Sequence, residues 1–430
     1  MRGVVVERRR WMSMGKVLAL VLGGGIWVGQ GGCSGGGEAV SSLPVVRDSA
    51  GITIVENRDR QWGSSAAWCV GNPLTTIGAV DGPPPYQLFT VLDATRLSDG
   101  TVVVGNSSSG ELRFFGPDGT FIRSVGSADG GPGEFKGANA LRAVRRIGGD
   151  SIFTWDLFAQ TASVFASDGT FAYAYRLDGP ARMLFYRGML ADGSLLMMAY
   201  DYESDESGDR VEEGYTRQRL DYLLYGSDHR LLETLTGVPG EVHFQAQLGT
   251  HGMITVGAPF ARVSSVATDA SLIYLATGEA DEIAVHHRLA EPVKLIRRVG
   301  TTKPLTAAMI ERDRQARMAG DSAIQAEEGI SPRARRLFSR IPYPEVVPPY
   351  GRILVDSEAN LWAQVFRVRD EDDQAWSVFD PGGVWLGEVT LPRNLRVYEI
   401  GADYVLGRLT DDLGVERVLV FELRRGGCAT

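Results

Sequence analysis

The tightest constraint on this chain is that it writes one hairpin twice. Residues 114–126 read FFGPDGTFIRSVG, and residues 164–176 read VFASDGTFAYAYR. Each passes from an aromatic residue through Asp-Gly-Thr into Phe and an alternating strand. The Asp-Gly pair tolerates the positive φ that a tight antiparallel turn requires. Recurrence of such a unit points to a fold built from repeated copies of one supersecondary element.

The unit is longer than the hairpin. The first copy reads LFTVLDATRL, TVVVGN, ELRFFG and FIRSVG, and the second ALRAVRRI, SIFTWD, TASVFA and FAYAYR. The third reads MLFYRGML, SLLMMAY, LDYLLYG and LLETLTG, and the fourth FARVSSVA, SLIYLAT, EIAVHHR and VKLIRRV. The fifth reads GRILVD, NLWAQVFRV, AWSVFD and VWLGEVTLP, and the sixth LRVYEIG, DYVLGRL and ERVLVFEL before the chain ends. The segments are short, rich in Val, Ile, Leu, Phe and Tyr, and bounded by Gly, Asp, Asn or Ser, which reads as strands. Four short antiparallel strands per unit, repeated, is the pattern of a β-propeller. The chain is therefore expected to be all-β, a six-bladed propeller over residues 50–430.

The sixth unit lacks a fourth strand. Either PLTTIG (73–78) or GITIVE (51–56) can supply it from the N-terminus, closing the ring and removing an open edge. That closure brings Cys69, just before PLTTIG, near Cys428, just after FELRR, and a Cys69–Cys428 disulfide is expected. Two insertions interrupt the repeat. The acidic stretch 201–215 reads as a loop. The tract within about 304–340, rich in Ala, Glu, Arg and Met, reads as a helical insertion between the fourth and fifth blades, its first helix ending at Gly320.

The N-terminus is not part of this fold. A basic RRR precedes the apolar run VLALVLGGGIWVG (17–29) and then QGGCSGGGE, the composition of an export signal and too short for a membrane span. The GGC ending resembles a bacterial lipoprotein signal. That resemblance implies a signal peptide at 1–32, lipid attachment at Cys33 and a flexible tether over 33–49. Gln30 departs from the aliphatic residue usual three places before the cysteine. Removing 1–32 takes away five basic residues and one acidic one and moves the net charge from −9 to −13. Such a balance argues against nonspecific nucleic-acid binding.

GTVVVGNSSSGELRFFGPDGTFIRSVGSADGGPGEF (100–135) and SVFDPGGVWLGEVTLP, together with the repeat count, resemble the NHL-like six-bladed β-propellers of bacteria, including exported lipoproteins of unassigned function. The resemblance implies a cell-envelope location, with the outer membrane favoured by analogy because Ser34 follows Cys33.

Catalytic motifs are sparse. There is no nucleophile elbow, Walker loop or zinc spacing. His286 and His287 are adjacent on a strand and point to opposite faces, so they do not share a metal. Asp93, Asn139 and Glu399 fall near inner-strand positions, where lyase and lactonase propellers hold a metal, but no motif aligns them. Trp155, Trp362 and Trp376 fall inside strands and read as core, whereas Tyr343 and Tyr350 read as an exposed platform. The pattern that stands out is basic. LRAV, ARML, ARVS, GRIL and LRVY put Arg142, Arg182, Arg262, Arg352 and Arg396 near the start of five inner strands. Inner strands line the channel, so these residues form a candidate guanidinium ring for a carboxylate, sulfate or phosphate ligand. The competing reading pairs each Arg with a carboxylate of the next blade. The functional expectation is a monomeric, cofactor-free, non-enzymatic propeller. It binds an envelope protein, a peptide or an acidic glycan. The alternative is a metal-dependent lyase or lactonase.

Overall fold

The computed structural model describes residues 42–63, 66–179, 182–201, 214–248, 252–319, 338–367 and 373–428. The signal, Cys33, Gly320 and most of the acidic stretch 201–215 lie outside the described residues.

The repeated hairpins fold alike. Gly116 and Ala166 donate their N–H groups to the carbonyls of Thr120 and Thr170, each at 2.8 Å. Gly119 and Gly169 turn the chain with φ of 84° in both cases, which a side chain would strain. Asp118 and Asp168 accept the N–H of Thr120 and Thr170 at 2.9 Å, so the acidic residue builds the turn from its own side chain.

Each hairpin joins the third and fourth strands of a sheet. Sheet one comprises Val91–Arg96, Val102–Asn106, Glu111–Phe115 and Phe121–Val125. Sheet two comprises Leu141–Ile147, Ser151–Asp156, Thr161–Phe165 and Phe171–Arg176. Sheet five comprises Tyr350–Val355, Leu361–Val365, Gln374–Phe379 and Trp385–Leu391. These are simple antiparallel meanders in chain order.

The other three sheets carry additions. In sheet six, Leu395–Ile400, Tyr404–Thr410 and Glu416–Arg425 take their fourth strand from Trp68–Ile77 at the other end of the chain. Cys69 and Cys428 are bonded, with Cα atoms 6.0 Å apart across 359 positions of sequence. The segment GITIVE does not close the ring. As Ile52–Asn57 it runs parallel to Lys294–Arg298 on the outside of sheet four, and Val45–Ser49 pairs beyond it. The stretch 33–49, expected as tether, thus ends in a strand. Sheet four otherwise holds Ser265–Thr268, Ile273–Ala276 and Glu282–His286. Sheet three begins with Phe185–Met189 and Leu195–Tyr200. It continues into the long pair Gly214–Tyr225 and Leu231–Leu248, and a fifth strand, Gly252–Gly257.

The innermost strands of the six sheets touch in sequence and back to the start. Contacts run from sheet one to two, two to three, three to four, four to five and six to one. Between five and six, Arg352 Nη1 donates to the Val397 carbonyl at 3.1 Å. Close approach is built in by small residues: a Cβ at Gly188 would stand 2.3 Å from Thr268 Oγ1 of the next sheet. Apolar clusters fill each seam. Between sheets five and six, for example, Trp362, Trp376, Val389, Val397 and Phe421 pack together, all buried. Burial of such faces is the main drive to close the ring. The result is a β-propeller.

The insertion contributes a helix, Ala307–Ala319, started by the Thr306 hydroxyl, which accepts the Met309 N–H at 3.3 Å. Met309 packs with Leu305, Phe260, Val347, Tyr343 and Phe366. Arg317 donates to the Gly257 carbonyl at 3.0 Å, fastening the helix to the extension of sheet three. No helix among the described residues is long and apolar enough to cross a membrane.

Candidate functional site

The ring of five equivalent arginines is not what the chain builds. Arg182 and Arg262 precede their inner strands rather than lying on them. Both Nη atoms of Arg182 stand 2.8 Å from Asp221 Oδ2. Arg262 Nη1 stands 2.9 Å from Glu279 Oε2, and Arg217 reaches the same carboxylate. These two belong to structural ion pairs.

Arg142, Arg352 and Arg396 behave differently. Arg142 and Arg396 are the second residues of their inner strands and are exposed, and Arg352 is half-buried. Ladder pairing slips by one residue between Leu141 and Ala143, and again between Tyr350 and Ile353. Arg142 and Arg352 therefore sit at bulges, which turn a side chain out of the regular alternation. Arg352 bonds to the Val397 carbonyl, and among the described residues no carboxylate forms an ion pair with Arg142, Arg352 or Arg396. Burial pushes the Arg352 guanidinium down to about 10, with the charges of Arg396 and Arg145 adding to the effect. Burial, then Arg396, also holds Arg142 below its ordinary value.

Arg352 and Arg396 open onto a cavity of about 600 Å³ between sheets five and six. Arg367 and Arg393 complete a set of four arginines around it, and no described residue of its lining is acidic. Its wall is held by amides. Gln374 Nε2 donates to the Leu395 carbonyl at 2.6 Å and the Pro392 carbonyl at 2.9 Å, and Gln364 donates to Gln374 Oε1 at 2.7 Å. Trp376 lies in the lining but is 1% exposed, so it supports the wall from behind.

Two carboxylates on the inner strands of sheets one and six are already occupied. Asp93 is paired with Arg145 and accepts the Val144 N–H at 2.9 Å. Burial nevertheless pushes its carboxyl above the usual range. Glu399 accepts the Thr95 hydroxyl at 2.5 Å and the Tyr404 hydroxyl. Asn139 sits in the connection before sheet two, its N–H donating to the Ser107 carbonyl at 2.7 Å. The Asp93 and Glu399 carboxylates are thus separately engaged, and Asn139 lies off the inner strand. Among the described residues, no three His, Cys, Asp or Glu side chains gather as a metal-ligand group.

Two other expectations change. Tyr350 is 1% exposed, because it opens the inner strand of sheet five and its ring lies under Arg298 at 5.1 Å. Tyr343 is tied to the helix, its hydroxyl donating to Asp313 at 2.9 Å. Neither forms a platform. Sequence reasoning also missed Arg367 and Arg393. Arg393 lies in the link between sheets five and six, and Arg367 lies two residues beyond Val365, at the tail of a segment the repeat alignment reads as strand.

No protein-family model matches the chain, and no curated protein matches it. Solved structures do resemble it. A candidate exported protein from Bacteroides fragilis is 12% identical over 86% of this chain and 99% of its own, with a TM-score of 0.45. A member of the DUF4221 family from Bacteroides vulgatus is 10% identical over 84% and 100%, with a TM-score of 0.46. A streptogramin B lyase is 11% identical over 78% and 96%, with a TM-score of 0.37. At such identities and scores these likenesses say nothing of this chain's ligand.

Proposed function

We propose that the protein is an exported, six-bladed β-propeller, lipid-anchored at Cys33, that binds an anionic ligand in the cavity between sheets five and six. The six sheets and the closed sequence of inner-strand contacts support the blade count. One observation carries the ligand reading. Arg352 and Arg396 face a cavity without a carboxylate partner among the described residues, in a chain of net charge −9. Two guanidinium groups held near each other repel, and a bound anion relieves that repulsion while accepting their N–H groups in bidentate fashion. The role is binding rather than catalysis, with specificity supplied by the loops around the mouth.

Titration calorimetry of the purified protein with galacturonate and with inorganic phosphate tests the reading. Saturable binding of at least one, lost in Arg396→Ala with an unchanged unfolding temperature, supports it. Absence of binding to both, or binding untouched by Arg396→Ala and Arg352→Ala, overturns it. Labelling with a radioactive fatty acid in the cell tests the anchor, with loss of label in Cys33→Ser as the expected result.

A further inference from the structure

The cavity and the channel are not separate sites, because Arg352 and Arg396 belong to both. Each projects from an inner strand, where the seam between sheets five and six meets the axis of the ring. Sheet two carries Arg142 at the matching second position of its own inner strand. Only sheet one stands between sheets six and two in the ring. Sheet one contributes no carboxylate to the mouth. Its inner strand starts Val-Leu-Asp, and the Asp, Asp93, is taken by Arg145 and the Val144 N–H. Glu399 of sheet six is likewise taken by Thr95 and Tyr404. Three cations therefore converge on the mouth, and the acidic groups near them are already engaged deeper in the channel.

A single small anion in the cavity compensates Arg352 and Arg396 and leaves Arg142 facing them. We propose that the ligand is an oligoanion, with one anionic group seated between Arg352 and Arg396 and a second, on the same molecule, held at the channel mouth by Arg142. This rests on the anion-binding reading above and adds that the site spans three sheets, five and six on one side of sheet one and two on the other. Carboxylate and phosphate groups share the recognition chemistry, since a guanidinium fork fits both. Asp93 and Glu399, acidic residues on the inner strands of sheets one and six, are occupied by Arg145 and by the Thr95 and Tyr404 hydroxyls.

The test compares galacturonate with trigalacturonate, and phosphate with tripolyphosphate, on the full protein and on Arg142→Ala and Arg142→Lys. Joining two anionic groups raises the effective concentration of the second, so the oligomer is expected to bind about tenfold or more tighter than its monomer. Arg142→Ala removes that gain and leaves monomer binding within about twofold, while Arg142→Lys keeps part of the gain. A gain confined to trigalacturonate assigns an acidic glycan, and one confined to tripolyphosphate assigns a phosphate chain; either upholds the proposal. Monomer binding with no oligomer gain, or a gain indifferent to Arg142→Ala, overturns it while the anion-binding reading stands. If neither monomer nor oligomer binds, both readings fail together. Because Arg142 is exposed and has no ion-pair partner among the described residues, its variants are expected to unfold at the wild-type temperature.

Discussion

The two seams of sheet five treat a half-hidden arginine in opposite ways. Against sheet four, Arg298 stands 3.1 Å from Asp281, 3.7 Å from Glu388 and 2.9 Å from the Ser377 hydroxyl. Its guanidinium lies between the rings of Tyr350 and Trp385, at 5.1 and 5.2 Å. Burial pulls its proton affinity down, and Tyr350 and Asp281 more than restore it, leaving it above the ordinary value. Against sheet six, Arg352 has a backbone carbonyl, a neighbouring arginine and a cavity. The seam between sheets six and one sides with the first: Arg408 stands 2.5 Å from Glu416. A charge taken out of water costs several kcal/mol unless a partner offsets it. Where the arginine serves the fold, the chain supplies that partner. At Arg352 the described residues supply a backbone carbonyl and no carboxylate.

The largest test of this contrast is Arg298→Met. It takes the cation away from part-buried Asp281, which keeps the Thr301 hydroxyl, and is expected to cost about 3 kcal/mol in urea unfolding, the low end of the range for breaking a buried pair. An equal loss in Arg352→Met would abolish the distinction between the seams.

Removing the covalent tie with Cys69→Ser and Cys428→Ser is expected to cost about 2–5 kcal/mol. Hydrogen exchange should speed up in Trp68–Ile77 and Glu416–Arg425 and stay unchanged in sheet two. Uniform acceleration would mean that sheet six is no more dependent on its tie than its neighbours.

Arg352→Met should leave stability level or raise it by about 1 kcal/mol, since replacing an uncompensated buried charge is often favourable. The same variant should weaken galacturonate binding about tenfold, or about 1.4 kcal/mol.

The smallest effect is on pH. With its folded value lowered to about 10, Arg352 gives up its proton earlier in the native state than in the unfolded one. Around that pH the unfolded chain binds more protons, so stability rises with pH there. Anion affinity moves the other way, holding near neutrality and falling as pH approaches about 10. Calorimetry across that range that finds constant affinity would show that Arg352 keeps its charge in the native state.

The strands, and the N-terminal strand that completes sheet six, could be read in the sequence because apolar alternation and Asp-Gly turns act locally. Two things could not. GITIVE has the same pattern as PLTTIG, and only the parallel partner Lys294–Arg298 decides that it extends sheet four. The arginines share a sequence position but not a register. A one-residue bulge at Arg142 or Arg352 leaves no mark in the pattern of residue types, and nothing in ARML shows that the strand starts only at Phe185, beyond Arg182. Arg298 looked like any strand-end cation, because its partners Asp281 and Glu388 come from two different sheets.

The Cys69–Cys428 bond also alters what a cut can do to the molecule. With the sulfurs joined, residues 69 to 428 form a covalent circle without free ends. A protease that severs one connection within it yields a nicked chain of unchanged mass apart from one added water, still a single molecule. Two cuts are needed before any piece can leave, and electrophoresis detects the first only after reduction.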